Sequence, residues 1–271
     1  MRKYLFAEIY YILAVILLLL ASCDKNVLNT TEVNRLTNQE AQVKVVFTTA
    51  YRSNPSYYIY LNGQRSSSII GPTSTTAPNI TPFPGGGLNT GGGSTADYLR
   101  IAAGQSTVSV AVPKKGTVTP EDSLQLATSQ NTYESGKKYT LYFADTSTNL
   151  TSVLVVDSLN APDSGFTKFK FVNLMPDVSA GLDLYIGTVK VASAIPYKGV
   201  SPSFVVPTNN TSTTWAIRPA GAASTTTALA TYASASALAN RRVLTVIARG
   251  YNAITTASDI RRKTICLVFN Q

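Results

Sequence analysis

The side chains able to do chemistry are few. The 271-residue chain contains no histidine, so no imidazole base and no imidazole metal ligand is available. Two cysteines, Cys23 and Cys266, exclude a disulfide framework and a zinc-finger array. Cys23 follows the small residues Ala21 and Ser22, where a thiolate is open to group transfer. Cys266 lies among Ile265, Leu267 and Val268. It is expected as a buried strand residue, inert without a base to activate it. Glu121-Asp122 is the only adjacent acidic pair, and neighbours on a strand face opposite ways, so the pair does not flank one glycosidic bond. Asp145-Thr146-Ser147 has no second copy, whereas a proton-sharing carboxylate dyad needs two. Asp157, Asn160 and Asp163, with Gly165, would be the oxygen donors of a calcium ion if one bound. Their spacing is not that of an EF-hand loop, and a polar linker is the stronger reading. Tyr58 and Tyr60 alternate along a strand and would stand roughly 7 Å apart on its outer face. There they would offer coplanar rings to a sugar; the alternative is that they pack beneath another part of the chain. Trp215 is expected in a core.

These residues have to be delivered and positioned, and delivery comes first. Arg2 and Lys3 precede an apolar run from Ile9 to Ala21, thirteen residues long, shorter than the roughly 20 that span a bilayer. Residues 1–22 therefore read as a signal peptide. Leu20-Ala21-Ser22-Cys23 resembles the bacterial lipobox. That resemblance implies diacylglycerol on the Cys23 thiol, cleavage before it and an acyl chain on the new amine. The alternatives are an ordinary signal peptide with a chance cysteine, or an uncleaved anchor. The covalent lipid is the one prosthetic group expected, and no metal or other cofactor is called for. Residues 23–41 are polar and aperiodic, a tether between lipid and first domain.

Charge bounds the partners. The whole chain carries +9. After residue 22 there are 21 basic and 13 acidic residues, a net +8. The basic residues are scattered or in short groups such as Arg241-Arg242 and Arg261-Arg262-Lys263, and no basic stripe interleaves with aromatics. Nucleic acid is not an expected partner, and the excess reads as a solvated face that tolerates an anionic envelope.

From Val43 onward the pattern is all-β. Twelve short β-branched or aromatic segments, the first at 43–47 and the last at 264–269, alternate with turn residues. The stretch Ala220–Ala239 reads as a loop, since its threonines and missing caps disfavour a helix. The chain also repeats itself. Val43–Val46 matches Phe169–Val172, and Ile59–Gly63 matches Leu184–Gly187. Lys137–Leu141 matches Arg241–Val246 with one residue inserted, and Val153–Val156 matches Ile265–Val268. Gly71–Asp97 holds seven glycines and four prolines. It reads as a loop inserted into the first repeat, too poor in apolar surface to order itself. The organisation expected is two tandem antiparallel β-sandwiches. The first covers 42–160 with its 71–97 loop, and the second covers 166–271.

Phe169-Lys170-Phe171-Val172-Asn173-Leu174-Met175-Pro176-Asp177 and Leu182-Asp183-Leu184-Tyr185-Ile186-Gly187 resemble the opening of an Ig-like repeat domain. That domain is one of unknown function, found in cell-envelope lipoproteins of Bacteroidota-type bacteria. The first half matches at Ile59–Gly63 and its flanking strands and lacks the proline–aspartate pair. The resemblance implies an Ig-like fold and an envelope location, and no enzymatic role. Asp122-Ser123-Leu124 and Asp157-Ser158-Leu159 resemble the O-glycosylation signal of such bacteria, with Ser123 and Ser158 the acceptors. The function expected is a non-catalytic, lipid-anchored binding or adhesion module of the outer membrane, with glycan the ligand class. The alternative is a structural or accessory subunit beside an envelope protein such as a nutrient transporter. The sequence leaves open whether the module faces the cell surface or the periplasm.

Overall fold

Among the described residues, sixteen strands in four sheets account for nearly all the regular structure. The computed structural model describes residues 39–48, 58–67, 98–113, 123–145, 150–157, 160–259 and 261–270. Cys23, the expected glycosylation acceptor Ser158, the Glu121-Asp122 pair and the 71–97 segment lie outside them. The described residues belong to one compact unit, Thr37–Gln271.

The first eight strands are β1 (Glu40–Phe47), β2 (Tyr58–Leu61), β3 (Gln64–Arg65), β4 (Leu99–Ala102), β5 (Gly104–Pro113), β6 (Ser123–Tyr133), β7 (Lys138–Ala144) and β8 (Thr151–Val156). The second eight are β9 (Phe166–Leu174), β10 (Leu182–Ile186), β11 (Val189–Ile195), β12 (Phe204–Pro207), β13 (Thr214–Pro219), β14 (Ala230–Ala233), β15 (Val243–Arg249) and β16 (Thr264–Phe269). The sheets run β4-β1-β7-β8 and β3-β2-β5-β6 in the first set, β12-β9-β15-β16 and β11-β10-β13-β14 in the second. Adding eight to each strand number in the first set reproduces the second. The repeat is thus complete in topology, and each half is a four-on-four β-sandwich.

The pairing is antiparallel except for one parallel contact per half, β1 with β7 and β9 with β15. Lys44 lies opposite Thr140 and Lys170 opposite Thr245. Thr140 in turn pairs Val155, and Thr245 pairs Val268. This register corrects one expected match. Val153–Val156 corresponds to residues 266–269, one position later than the apolar pattern alone suggests, because both stretches are uninterrupted runs that slide without penalty.

Alternation explains the cores. Val43, Val45 and Phe47 meet Ile59, Leu61, Val108 and Leu141 between the first pair of sheets. Phe169 and Phe171 meet Leu184, Trp215, Ile217 and Val246 between the second. Trp215 is fully buried, its ring 4.8 Å from that of Phe169. The opposite faces of β1, β7, β8, β9, β15 and β16 are apolar too. Val46, Tyr142, Ala144, Val155, Val172, Leu174, Ile247, Cys266 and Val268 form a third cluster between the halves. Sheet β4-β1-β7-β8 therefore packs back to back on sheet β12-β9-β15-β16. That is why β15 is buried at every position, as expected for a strand covered on both faces.

Candidate functional site

The two halves differ where β7 and β15 end. Six residues, 145–150, connect β7 to β8, whereas fourteen, 250–263, connect β15 to β16. The longer connection starts at Gly250, whose φ of +84° and close neighbours exclude any side chain. A Cβ there would meet the Arg262 carbonyl oxygen at 2.2 Å. The loop then crosses back on itself, with Tyr251 N donating to Arg261 O at 2.9 Å and Lys263 N to Tyr251 O at 3.2 Å. Lys263 Nζ ties the crossing further, donating to Asn252 O and Oδ1 at 3.1 and 2.9 Å.

Two aspartates outside the loop hold its base. Both carboxylate oxygens of Asp177 accept backbone donors, Asn252 N and Ala253 N, at 2.9 Å each. Asp145, at the end of β7 with φ +77°, accepts the hydroxyls of Tyr251 at 2.6 Å and Tyr197 at 3.1 Å. Pro176-Asp177 thus has a physical role, and the first repeat, which lacks that pair, also lacks the long loop.

Between this loop and the edge formed by β14 and β16 lies a cleft of about 690 Å³, within the range typical of ligand pockets. Leu229, Ala230, Ile254, Ala257 and Ile265 supply its apolar wall. Thr231, Tyr232, Thr255, Ser258 and Thr264 supply hydroxyls, and Arg249, Arg262, Lys263 and Asp259 supply charge. Asp259 is bridged to Arg261: Oδ1 accepts from Arg261 N and Nε at 2.9 and 3.0 Å, and Oδ2 from an Nη at 2.6 Å. Three hydrogen bonds thus tie the Asp259 carboxylate to Arg261 beside the cleft.

The residues singled out in the sequence fall elsewhere. Ile59 and Leu61 face the core as expected, which turns Tyr58 and Tyr60 to the other face of the sheet. An exposed coplanar platform is not what they form. Tyr58 is 2% exposed and Tyr60 half-buried. Their rings meet edge to face, 6.5 Å apart at 76°. Large aromatic rings gain more by packing on one another, on Ala111 and under the Arg65 guanidinium than by facing water. Ser123 opens β6, with its hydroxyl 3.2 Å from that of Tyr60.

Asp157 is buried, while Asn160 and Asp163 are exposed. Its oxygens already accept Tyr98 Oη, Thr140 Oγ1 at 2.9 Å and Asn270 Nδ2 at 3.0 Å. The three therefore do not converge as a cation cage, and no group of three or more acidic or cysteine side chains suited to a metal occurs among the described residues. Burial raises the Asp157 carboxyl pKa above its usual value, against the opposing pull of the Tyr98 and Thr140 hydrogen bonds and of Lys44 and Lys170. Burial also lowers Lys170 and raises Tyr98. Cys266 is 1% exposed, and burial pushes its thiol up, as expected of an inert strand cysteine.

Sequence reasoning read Arg261-Arg262-Lys263 as a solvated face and so missed the cleft. The signal was there: this is the only run of three basic residues in the chain, and it closes a loop more than twice as long as its counterpart in the first repeat. No curated protein matches the chain by sequence. A family model described as a domain of unknown function, DUF4397, matches residues 41–180. That is just over half the chain, running from β1 through β9. The match falls mainly on the first repeat, whereas the motifs that resemble an Ig-like envelope domain are clearest at 169–187. With more than half its length matched, the chain belongs to the DUF4397 family, a domain of unknown function.

Proposed function

We propose that this protein is a non-catalytic binding module of the bacterial cell envelope, held to the outer membrane by lipid on Cys23, with glycan as its ligand. One observation carries the ligand class. The cleft joins five hydroxyl side chains to an apolar wall and the half-buried ring of Tyr232. That mixture suits a pyranose, which presents hydroxyls at its rim and C–H groups on its faces. The commitment of Asp259 to Arg261 supports binding over hydrolysis, since glycoside cleavage needs an available acid and base pair. The anchor rests on Leu20-Ala21-Ser22-Cys23 after a short apolar run.

Three measurements test this reading. Cells fed an alkyne fatty acid should label the wild type and not Cys23→Ala. A glycan array probed with the full chain should give signals that fall when Thr255 and Ser258 are both changed to Ala. Absence of both the label and the array signal would refute the proposal. Protease shaving of intact cells decides which face of the membrane carries the module.

A second reading, an accessory subunit of an envelope assembly, draws on β6. This eleven-residue strand has no charge and no proline. Among the described residues it pairs only with β5, so its free edge lacks the usual guards against strand addition. Co-purification of a defined partner without any sugar binding would favour this reading.

A further inference from the structure

The charge of the cleft narrows the ligand. Its lining holds three cationic side chains, Arg249, Arg262 and Lys263, and one carboxylate, Asp259. That carboxylate is neutralised by a fourth cation, Arg261, through three hydrogen bonds at 2.6–3.0 Å. Lys263 donates to the neutral acceptors of Asn252, so no counter-charge meets it there. Arg262 is exposed and makes no ion pair among the described residues. Asp177 and Asp145 are held by neutral donors, the loop backbone and the Tyr197 and Tyr251 hydroxyls, and are not part of the cleft lining. A concave site with excess positive charge and partly apolar walls focuses its field on an incoming anion.

We infer that the sugar bound in the cleft carries an anionic substituent, a carboxylate or a sulfate ester, seated against Arg262 and Lys263. This rests on the glycan reading above. The guanidinium of Arg262 matches either group through two parallel N–H donors, and Lys263 adds a point charge. The hydroxyls and Tyr232 then take the ring, so that charge selects the sugar and shape orients it. A neutral sugar would leave both cations hydrated and gain only the second set of contacts.

The test is calorimetric titration of the full chain in detergent. The probes are matched oligosaccharides: glucose- and galactose-based, their glucuronic and galacturonic counterparts, and their sulfated counterparts. The proteins are wild type, Arg262→Ala and Lys263→Gln, with circular dichroism melts to check folding. Acidic members should bind at least tenfold tighter than neutral ones, and the advantage should shrink as salt rises. Arg262→Ala should cut acidic affinity about tenfold and so narrow the gap between acidic and neutral members. The preferred acidic series identifies carboxylate or sulfate. Equal binding of neutral and acidic members, or full acidic affinity in folded Arg262→Ala, would overturn this inference while the glycan reading stands. No binding of any series would remove both.

Discussion

Asp157 and Asn270 occupy the same position in the two repeats, one residue beyond β8 and β16, and they hydrogen-bond to each other, Nδ2 to Oδ1 at 3.0 Å. The surrounding contacts come in matched pairs. Lys44 donates to the Phe269 carbonyl, and its counterpart Lys170 donates to the Val156 carbonyl at 2.5 Å. Thr140 donates to Asp157 at 2.9 Å, and Asn270 meets Thr245 at 2.9 Å. The two repeats thus meet as the subunits of a two-fold dimer do, each offering the same patch to the other. Covalent linkage lets one member of the central pair be an acid and the other an amide.

That central acid makes stability depend on pH in an unusual direction. Burial raises the Asp157 pKa in the folded state. Its contribution is fully present below the ordinary unfolded value of 3.8 and is lost as pH rises through the folded value. Asp157→Asn removes this titration. The stability of wild type relative to Asp157→Asn should therefore improve as pH is lowered from 7 towards 4, measured by urea unfolding. A difference that stays constant across that range contradicts the assignment.

Asp183 should behave the opposite way. Burial tends to raise its pKa, but hydrogen bonds from Lys190, Ala194 N and Gly221 N outweigh this and lower it. Its stabilisation is present above the ordinary carboxylate value and is lost as pH falls through the folded one. The carboxylate takes Lys190 Nζ at 2.6 Å, Ala194 N at 2.7 Å and Gly221 N at 3.1 Å. It also braces Ala194 in a left-handed backbone with φ +51°. Asp183→Ala should cost about 2–4 kcal/mol at pH 7 in chemical denaturation, mostly from the orphaned backbone donors.

The third apolar cluster couples the two sandwiches. Trp215, the one tryptophan of the chain, reports only on the second sandwich. Its fluorescence and the far-ultraviolet circular dichroism of both halves should lose signal at the same denaturant concentration. Trp215→Phe should shift the dichroism transition lower as a single step, because the smaller ring beside Phe169 leaves a cavity. Two separated steps would show that the back-to-back contact is weak.

Gly250→Ala should strike the cleft first. The added methyl would sit 2.2 Å from the Arg262 carbonyl oxygen at a backbone angle that L residues rarely adopt. The strain is expected to cost about 1–3 kcal/mol and to displace the Arg262 segment. Ligand affinity should fall more than the thermal midpoint does, as read by titration and melting on one sample.

How much of this was legible in the sequence depends on the layer. The twelve expected strands are the ones with at least one strongly apolar face, and each appears. The four that were missed, β3, β6, β11 and β14, are the edge strands of the two outer sheets. Their sequences, such as SLQLATSQNTY in β6 and ATYA in β14, show no clean alternation because half their surroundings are water or a sheet edge. Ala220–Ala239 looked like a loop for that reason and yields β14 and a short 3₁₀ turn, Ala235–Ala237. The back-to-back interface was written in β15 and β16, where hydrophobicity is continuous rather than alternating. Buried charge was not legible: Lys44, at 1% exposed, looks like any strand lysine until its partner 225 residues away is known. The cleft was hidden for the same reason, since its walls come from β14, β15, β16 and a loop that meet only in three dimensions.

The most direct test of the account exchanges the loop that builds the cleft for its shorter counterpart in the first repeat. Replacing residues 250–263 with the shorter 145–150 sequence of the first repeat keeps both sandwiches, both cores and the interface between them, and removes the cleft's basic wall. The account predicts a folded protein with cooperative unfolding and no glycan-array signal. A folded chimera that still binds the same glycans would contradict the claim that this loop makes the binding site.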